Sequence, residues 1–138
     1  MKNLIRLDGV YDCKTLDTAR SMGIQSFQFD FRPQSLNFLQ LHVFQEMIED
    51  LPKSKETFFL HFSNEKDFLI RRVIEDFEKV LENKSSDSEM ILEFSDENNA
   101  GFYDQFGIPF FWYYSPGSAL EEVLKCYNLR GVVWSLDL

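Results

Sequence analysis

The side chains of Arg6, Asp8, Asp30, Arg32, His61, Glu93 and Asp137 recur at one kind of position along this chain of 138 residues. Successive side chains alternate across a strand. Phe27, Phe29 and Phe31 therefore define one face of a strand-like segment, and Gln28, Asp30 and Arg32 the other. Phe58, Leu60 and Phe62 oppose Phe59, His61 and Ser63 in the next such segment, and Met90, Leu92 and Phe94 oppose Ile91, Glu93 and Ser95 in the one after. Arg6 shares a face with Asp8, and Asp137 with Ser135 and Val133. In each segment that face turns polar toward the C-terminal end. Acids and cations gathered at the C-terminal ends of strands are equipped to orient a small ligand and to move protons on it. The same groups also suit an internal network in which they neutralise one another, because buried charges must be paired. Both readings stay open at this level.

The elements that position these residues follow from pattern. Leu4 to Gly9 is a short β-prone run. Asp12 then caps a helix over Cys13 to Met22, which Gly23 closes. A strand is predicted from Ile24 to Phe31, and a helix from Leu36 to Leu51, with apolar residues at Leu39, Val43, Phe44, Met47, Ile48 and Leu51. Thr57 to Phe62 is the third strand. Ser63 or Asn64 caps the long helix that follows, which carries Phe68, Leu69, Val73, Ile74, Phe77, Val80 and Leu81 on one side. Strands at Glu89 to Phe94, Ile108 to Tyr114 and Gly131 to Leu136 alternate with helices at Asn98 to Phe106 and Ser118 to Tyr127. Such alternation implies a parallel sheet with right-handed crossovers.

Strands covered by helices on both faces read as unbroken apolar runs. These strands do not, so the expectation is an α/β fold of the partial TIM-like (βα) barrel kind. It has six parallel strands and five helices, ends at strand six, and forms a single domain over residues 1–138. Strands one and six would then be open edges, which a homodimer or a protein partner is expected to cover. The aromatic run Phe110-Phe111-Trp112-Tyr113-Tyr114 suits such an interface or an ordinary core.

Composition narrows the classes of partner. A net charge of −9 and a pI near 4.6 repel phosphate backbones and anionic lipid, so neither nucleic acid nor membrane is expected. Cys13 and Cys126 lie outside any metal-ligand spacing, which suggests a reduced cytoplasmic protein that needs no metal and no cofactor. No run approaches the length of a membrane span.

Read in order, Arg6-Leu7-Asp8-Gly9, Met22-Gly23-Ile24 and Gln28-Phe29-Asp30-Phe31-Arg32-Pro33-Gln34-Ser35-Leu36-Asn37 resemble the opening motifs of the phosphoribosylanthranilate isomerase family. Phe62-Ser63-Asn64-Glu65 is similar to that family's Phe-Val-Asn-Glu, and Ser135-Leu136-Asp137 to its Leu-Leu-Asp. The resemblance covers about the first six of the family's eight βα units. It implies that Asp8 stands where the family has its general base, a cysteine, and that Asp137 keeps the place of the general acid. Asn37 stands where the family has an arginine. The segments that would carry strands seven and eight, which hold substrate phosphate in such barrels, lie beyond the match. The resemblance therefore implies a degenerate, non-catalytic member that acts by self-association or by binding a protein partner. Two alternatives accompany it. One is an acid/base isomerase or lyase of a small sugar-like substrate, with Asp8 and Asp137 transferring protons and Arg6, Asp30, Arg32, His61 and Glu93 orienting the ligand. The other is a small-ligand sensor of the open α/β type.

Overall fold

In the computed structural model, which describes residues 4–117 and 119–134, the chain alternates strand and helix throughout. The strands are β1 (Arg6–Leu7), β2 (Ser26–Asp30), β3 (Thr57–Phe62), β4 (Glu89–Phe94), β5 (Phe110–Tyr113) and β6 (Leu129–Val133). Between them lie the helices α1 (Cys13–Ser21), α2 (Leu41–Glu49), α3 (Asp67–Asn83), α4 (Ala100–Asp104) and α5 (Leu120–Val123). Every strand pairs in parallel with its sequence neighbour, in the order β1-β2-β3-β4-β5-β6. Among the described residues β1 and β6 have no partner on their outer sides.

The alternation of side chains divides the sheet as the sequence pattern predicts. Phe27, Phe29, Phe58, Leu60, Phe62, Leu92, Phe94, Phe110 and Trp112 lie on the outer face, each almost completely buried. Leu16 of α1, Phe44 of α2, Val73 and Phe77 of α3, Tyr103 of α4 and Val123 of α5 join them in one continuous apolar cluster. Phe77 packs edge-on against Phe58 with ring centroids 5.1 Å apart, and Phe29 against Phe44 at 5.6 Å. Such arrangements favour aromatic pairs beyond the area they bury. Phe59 and Ile91 are also buried but belong to the other face, outside that cluster. All five helices thus cover one side of the sheet, and a doubly wound sheet of the open α/β type is not what this chain forms.

The sheet is curled. Neighbouring strands sit about 4.8 Å apart, so β1 and β4 would be separated by roughly 14 Å if flat. Arg6 on β1 nevertheless makes two hydrogen bonds to Glu93 on β4, at 2.6 and 2.7 Å. Side chains stand roughly perpendicular to a sheet, so an inner face that curls is what brings Arg6 and Glu93 together.

Several boundaries differ from the sequence expectation for identifiable reasons. Helix α2 begins at Leu41 and not at Leu36, because the Phe38 N–H donates to the Ser35 carbonyl and the Leu39 N–H to the Asp30 carbonyl, drawing that segment onto the end of β2. Leu36 is left almost fully exposed. Neither Ser63 nor Asn64 caps α3. Asn64 adopts a left-handed φ of 67°, the Ser63 N–H donates to the Glu65 carboxylate, and the helix starts at Asp67. Phe68, expected on the buried side, then projects into solvent on the first turn. Helices α4 and α5 are shorter than predicted, and β6 starts two residues earlier. No helix among the described residues is long and apolar enough to cross a membrane.

Candidate functional site

The inner face is layered along the strand direction. At its N-terminal end Phe59 meets Phe111, with ring centroids 5.7 Å apart, and the Arg6 guanidinium lies 4.1 Å from the Phe59 centroid. Cross-strand register places Asp30 beside His61, and His61 beside Glu93, in the next layer. Glu93 is completely buried and is the centre of that layer. Its carboxylate accepts two bonds from Arg6, one from the Gln28 side-chain amide at 3.1 Å and one from the Tyr113 hydroxyl at 3.2 Å. Burial, the largest single influence, pushes its pKa up. Hydrogen bonds from Arg6 and Gln28 and the Arg6 charge oppose burial, and the carboxyl is held below the ordinary carboxylate range. Arg6 shows the converse: burial opposes its charge, and hydrogen bonds to Glu93 and Asp8 raise its pKa above the ordinary value. Burial, followed by the nearby Glu93 charge, pushes Tyr113 up to about 12.

Gln28 orders this layer. The Gly9 N–H donates to its Oε1 at 3.1 Å, which fixes the amide orientation and turns the NH2 group toward His61 and Glu93. His61 Nδ1, 3.1 Å from that NH2 group, therefore accepts, and the ring proton sits on Nε2, 2.9 Å from Ser95 Oγ. A proton on Nδ1 would instead point at Glu93 Oε1, 3.4 Å away. The shorter approach of the amide N–H, which needs a lone pair at Nδ1, decides against it. The carboxylate is thus held by Arg6, Gln28 and Tyr113.

Nearer the C-terminal mouth the charges pair locally. Arg6 Nε donates to Asp8 at 2.5 Å, with the Asp8 side chain more than half exposed. Arg32 grips Asp30 through Nε at 2.9 Å and Nη2 at 2.6 Å, and its backbone N–H adds a third bond at 3.1 Å. Burial opposes the Asp30 charge, and these bonds together with the Ser35 hydroxyl still depress its pKa. A pocket of about 290 Å³ opens here, lined by Asp8, Gly9, Gln28, Asp30, Arg32, Ser35, Asn37, His61 and Tyr113. A larger cleft of about 440 Å³ lies on the outer surface between α2 and α3. Part of its polar lining is already engaged, as in the Gln45–Asp76 bond and the Lys84 ammonium on the Glu49 and Leu51 carbonyls. The mouth pocket is the better candidate, because parallel strands converge their polar ends there.

Arg6, Asp8, Asp30, Arg32, His61 and Glu93 are therefore gathered on one face, as alternation predicts, and the charged ones form two ion-pair groups, Arg6 with Asp8 and Glu93, and Arg32 with Asp30. Asp137 lies outside the described residues. Gln28 and Tyr113 were absent from the predicted set, although alternation alone places Gln28 on the face of Asp30 and sets Tyr113 apart from the outward Trp112. Among the described residues no group of three or more His, Cys, Asp or Glu side chains is placed to hold a metal. Cys13 and Cys126 are free and half-buried, and burial pushes both thiols up.

Known structures share this architecture. Phosphoribosyl anthranilate isomerase from Thermus thermophilus superposes with a TM-score of 0.70 at 12% identity, over 96% of this chain and 62% of its own. The enzyme from Thermotoga maritima gives a TM-score of 0.56 at 14% identity, over 99% of this chain and 78% of its own. A form of the Thermotoga maritima protein described as monomers generated from a dimeric isomerase gives 0.54 at 14% identity, over 99% of this chain and 76% of its own. This chain thus spans less than two thirds of the Thermus thermophilus enzyme. No protein-family model matches it, and no curated protein sequence does. At these identities the likeness establishes the fold, a TIM-like βα arrangement, and bears out the resemblance of the sequence motifs at that level.

Proposed function

We propose that this chain is a non-catalytic protein of isomerase-like fold that works by association, with a second copy of itself as the first candidate partner. The observation that carries the reading is the pairing at the mouth. Arg6 is bound by Asp8 and Glu93, and Arg32 by Asp30, so neither cation stands open to a substrate anion. Asp8, at the place the resemblance gives to a general base, is engaged by a guanidinium at 2.5 Å. Charges that complete one another in this way contribute to a unique inner packing more readily than to turnover.

Association is supported at the sheet's flanks. Leu4 and Ile5 beside β1 are 97% and 59% exposed, and Trp134 after β6 is 58% exposed while stacked on Tyr114 at 4.1 Å. Exposed aromatic and aliphatic side chains next to strands that have no outer partner among the described residues suit a protein interface. The dimeric state recorded for the Thermotoga maritima neighbour points the same way. Sedimentation of the purified chain is expected to give a dimer, dissociated by Trp134→Asp. Incubation with phosphoribosylanthranilate is expected to give no rearranged product. Measurable turnover would refute the non-catalytic reading, and a monomer at every concentration would refute self-association.

A further inference from the structure

We infer that the mouth pocket binds a small uncharged polyhydroxylated molecule of monosaccharide size, without transforming it. This stands independently of the proposed association, since it concerns the inner face and not the flanks. The first ground is the balance of charge. The pocket's immediate charges are Asp8, Asp30 and Arg32, with Arg6 and Glu93 paired beneath them, which leaves one net negative charge at the opening. A doubly charged phosphate ester would meet Asp8 with no unpaired cation to receive it. A neutral hydroxyl meets no such penalty.

The second ground is the set of hydrogen-bonding positions left over. The Asn37 side-chain amide lines the pocket and has no internal hydrogen bond among the described residues, so it offers one acceptor and two donors. Gly9 leaves room for it. With φ at +71°, Gly9 leaves a space that a Cβ would fill to within 2.6 Å of Asn37 Nδ2. Asp8 keeps one carboxylate oxygen without a partner among the described residues. Acceptors and amide donors on a wall that also contains the Tyr113 and His61 rings match hydroxyl groups, each of which both donates and accepts. A volume of about 290 Å³ lies at the small end of ligand pockets and accommodates a molecule of monosaccharide size.

The test is amide NMR titration of the whole chain with xylitol, glucose and glucose 6-phosphate. The expected result is saturable shifts at Gly9, Asn37 and Tyr113 with xylitol or glucose, weaker binding of glucose 6-phosphate, and sugar recovered unchanged. Asn37→Ala is expected to weaken the response roughly fivefold, Asp8→Asn to weaken it as well, and Gln45→Ala in the outer cleft to leave it unchanged. Absence of saturable shifts at those positions, tighter binding of the phosphate ester, or shifts confined to the outer cleft would overturn the assignment. Dimerisation measured in the same samples is expected to be the same in wild type and Asn37→Ala, so failure of either reading is recognisable separately.

Discussion

Replacing Arg6 with methionine tests the layer on which the inner face depends. The substitution keeps an unbranched apolar stem against Phe59 and removes the guanidinium that makes two bonds to Glu93. Glu93 is then a completely buried carboxylate left with Gln28 and Tyr113 as donors. Breaking a buried pair by deleting one member costs about 3 to 5 kcal/mol, since the remaining charge is uncompensated. Linkage gives the same sign: folding lowers the Glu93 carboxyl below its ordinary 4.5, so its ionised form adds stability at neutral pH. Because the folded value is depressed, that contribution is complete above pH 4.5 and is lost as pH falls toward about 2. Urea unfolding of the wild type across this window is expected to show that loss. Arg6→Met is expected to start about 3 kcal/mol lower near neutrality and to show a flatter acid limb, since protonating Glu93 then relieves a buried charge. Adding Glu93→Gln to Arg6→Met is expected to recover most of the loss. A single variant within about 1 kcal/mol of wild type, or a double variant no more stable than the single, would refute the buried pair as the organiser of this layer.

Two further outcomes follow from local geometry. Gly9→Ala introduces a side chain at φ +71° and pushes a Cβ against Asn37, so thermal unfolding is expected to report a loss of about 1 to 3 kcal/mol. Gly9→Ala combined with Asn37→Ala is expected to regain only the steric part. Tyr103→Phe removes a buried hydroxyl that donates to Asp96 at 2.7 Å and accepts from the Asn98 N–H at 2.9 Å. Denaturant unfolding is expected to show about 1 to 3 kcal/mol of destabilisation from the groups left unpaired, and wild-type stability in that variant would count against the contact.

The assignment of residues to faces was legible in sequence, because a period of two leaves no freedom once a strand is recognised. Phe27 and Phe29 had to face opposite to Gln28 and Asp30, and the structure buries the first pair under helices and places the second on the inner layer. The cap of α1 was legible for a similar reason, since the Asp12 carboxylate accepts from the Thr15 N–H within its own turn. Starts of α2 and α3 were not. They are settled by bonds outside the helix, such as Leu39 N–H to the Asp30 carbonyl at the end of β2 and Asn64 N–H to Asp96 Oδ2 in the loop after β4, which no helical periodicity encodes.

Spacing and residue type by themselves determined that six strands alternate with helices, and that Arg6, Asp8, Asp30, Arg32, His61 and Glu93 share one face. Only the tertiary structure decided who pairs with whom. Arg6 and Glu93 are 87 positions apart and three strands apart, and they meet because the sheet curls until one guanidinium spans it. Curvature is a property of the whole packed sheet, so the choice between an open set of ionisable groups and a mutually neutralised one depends on contacts that form only after every strand is in place.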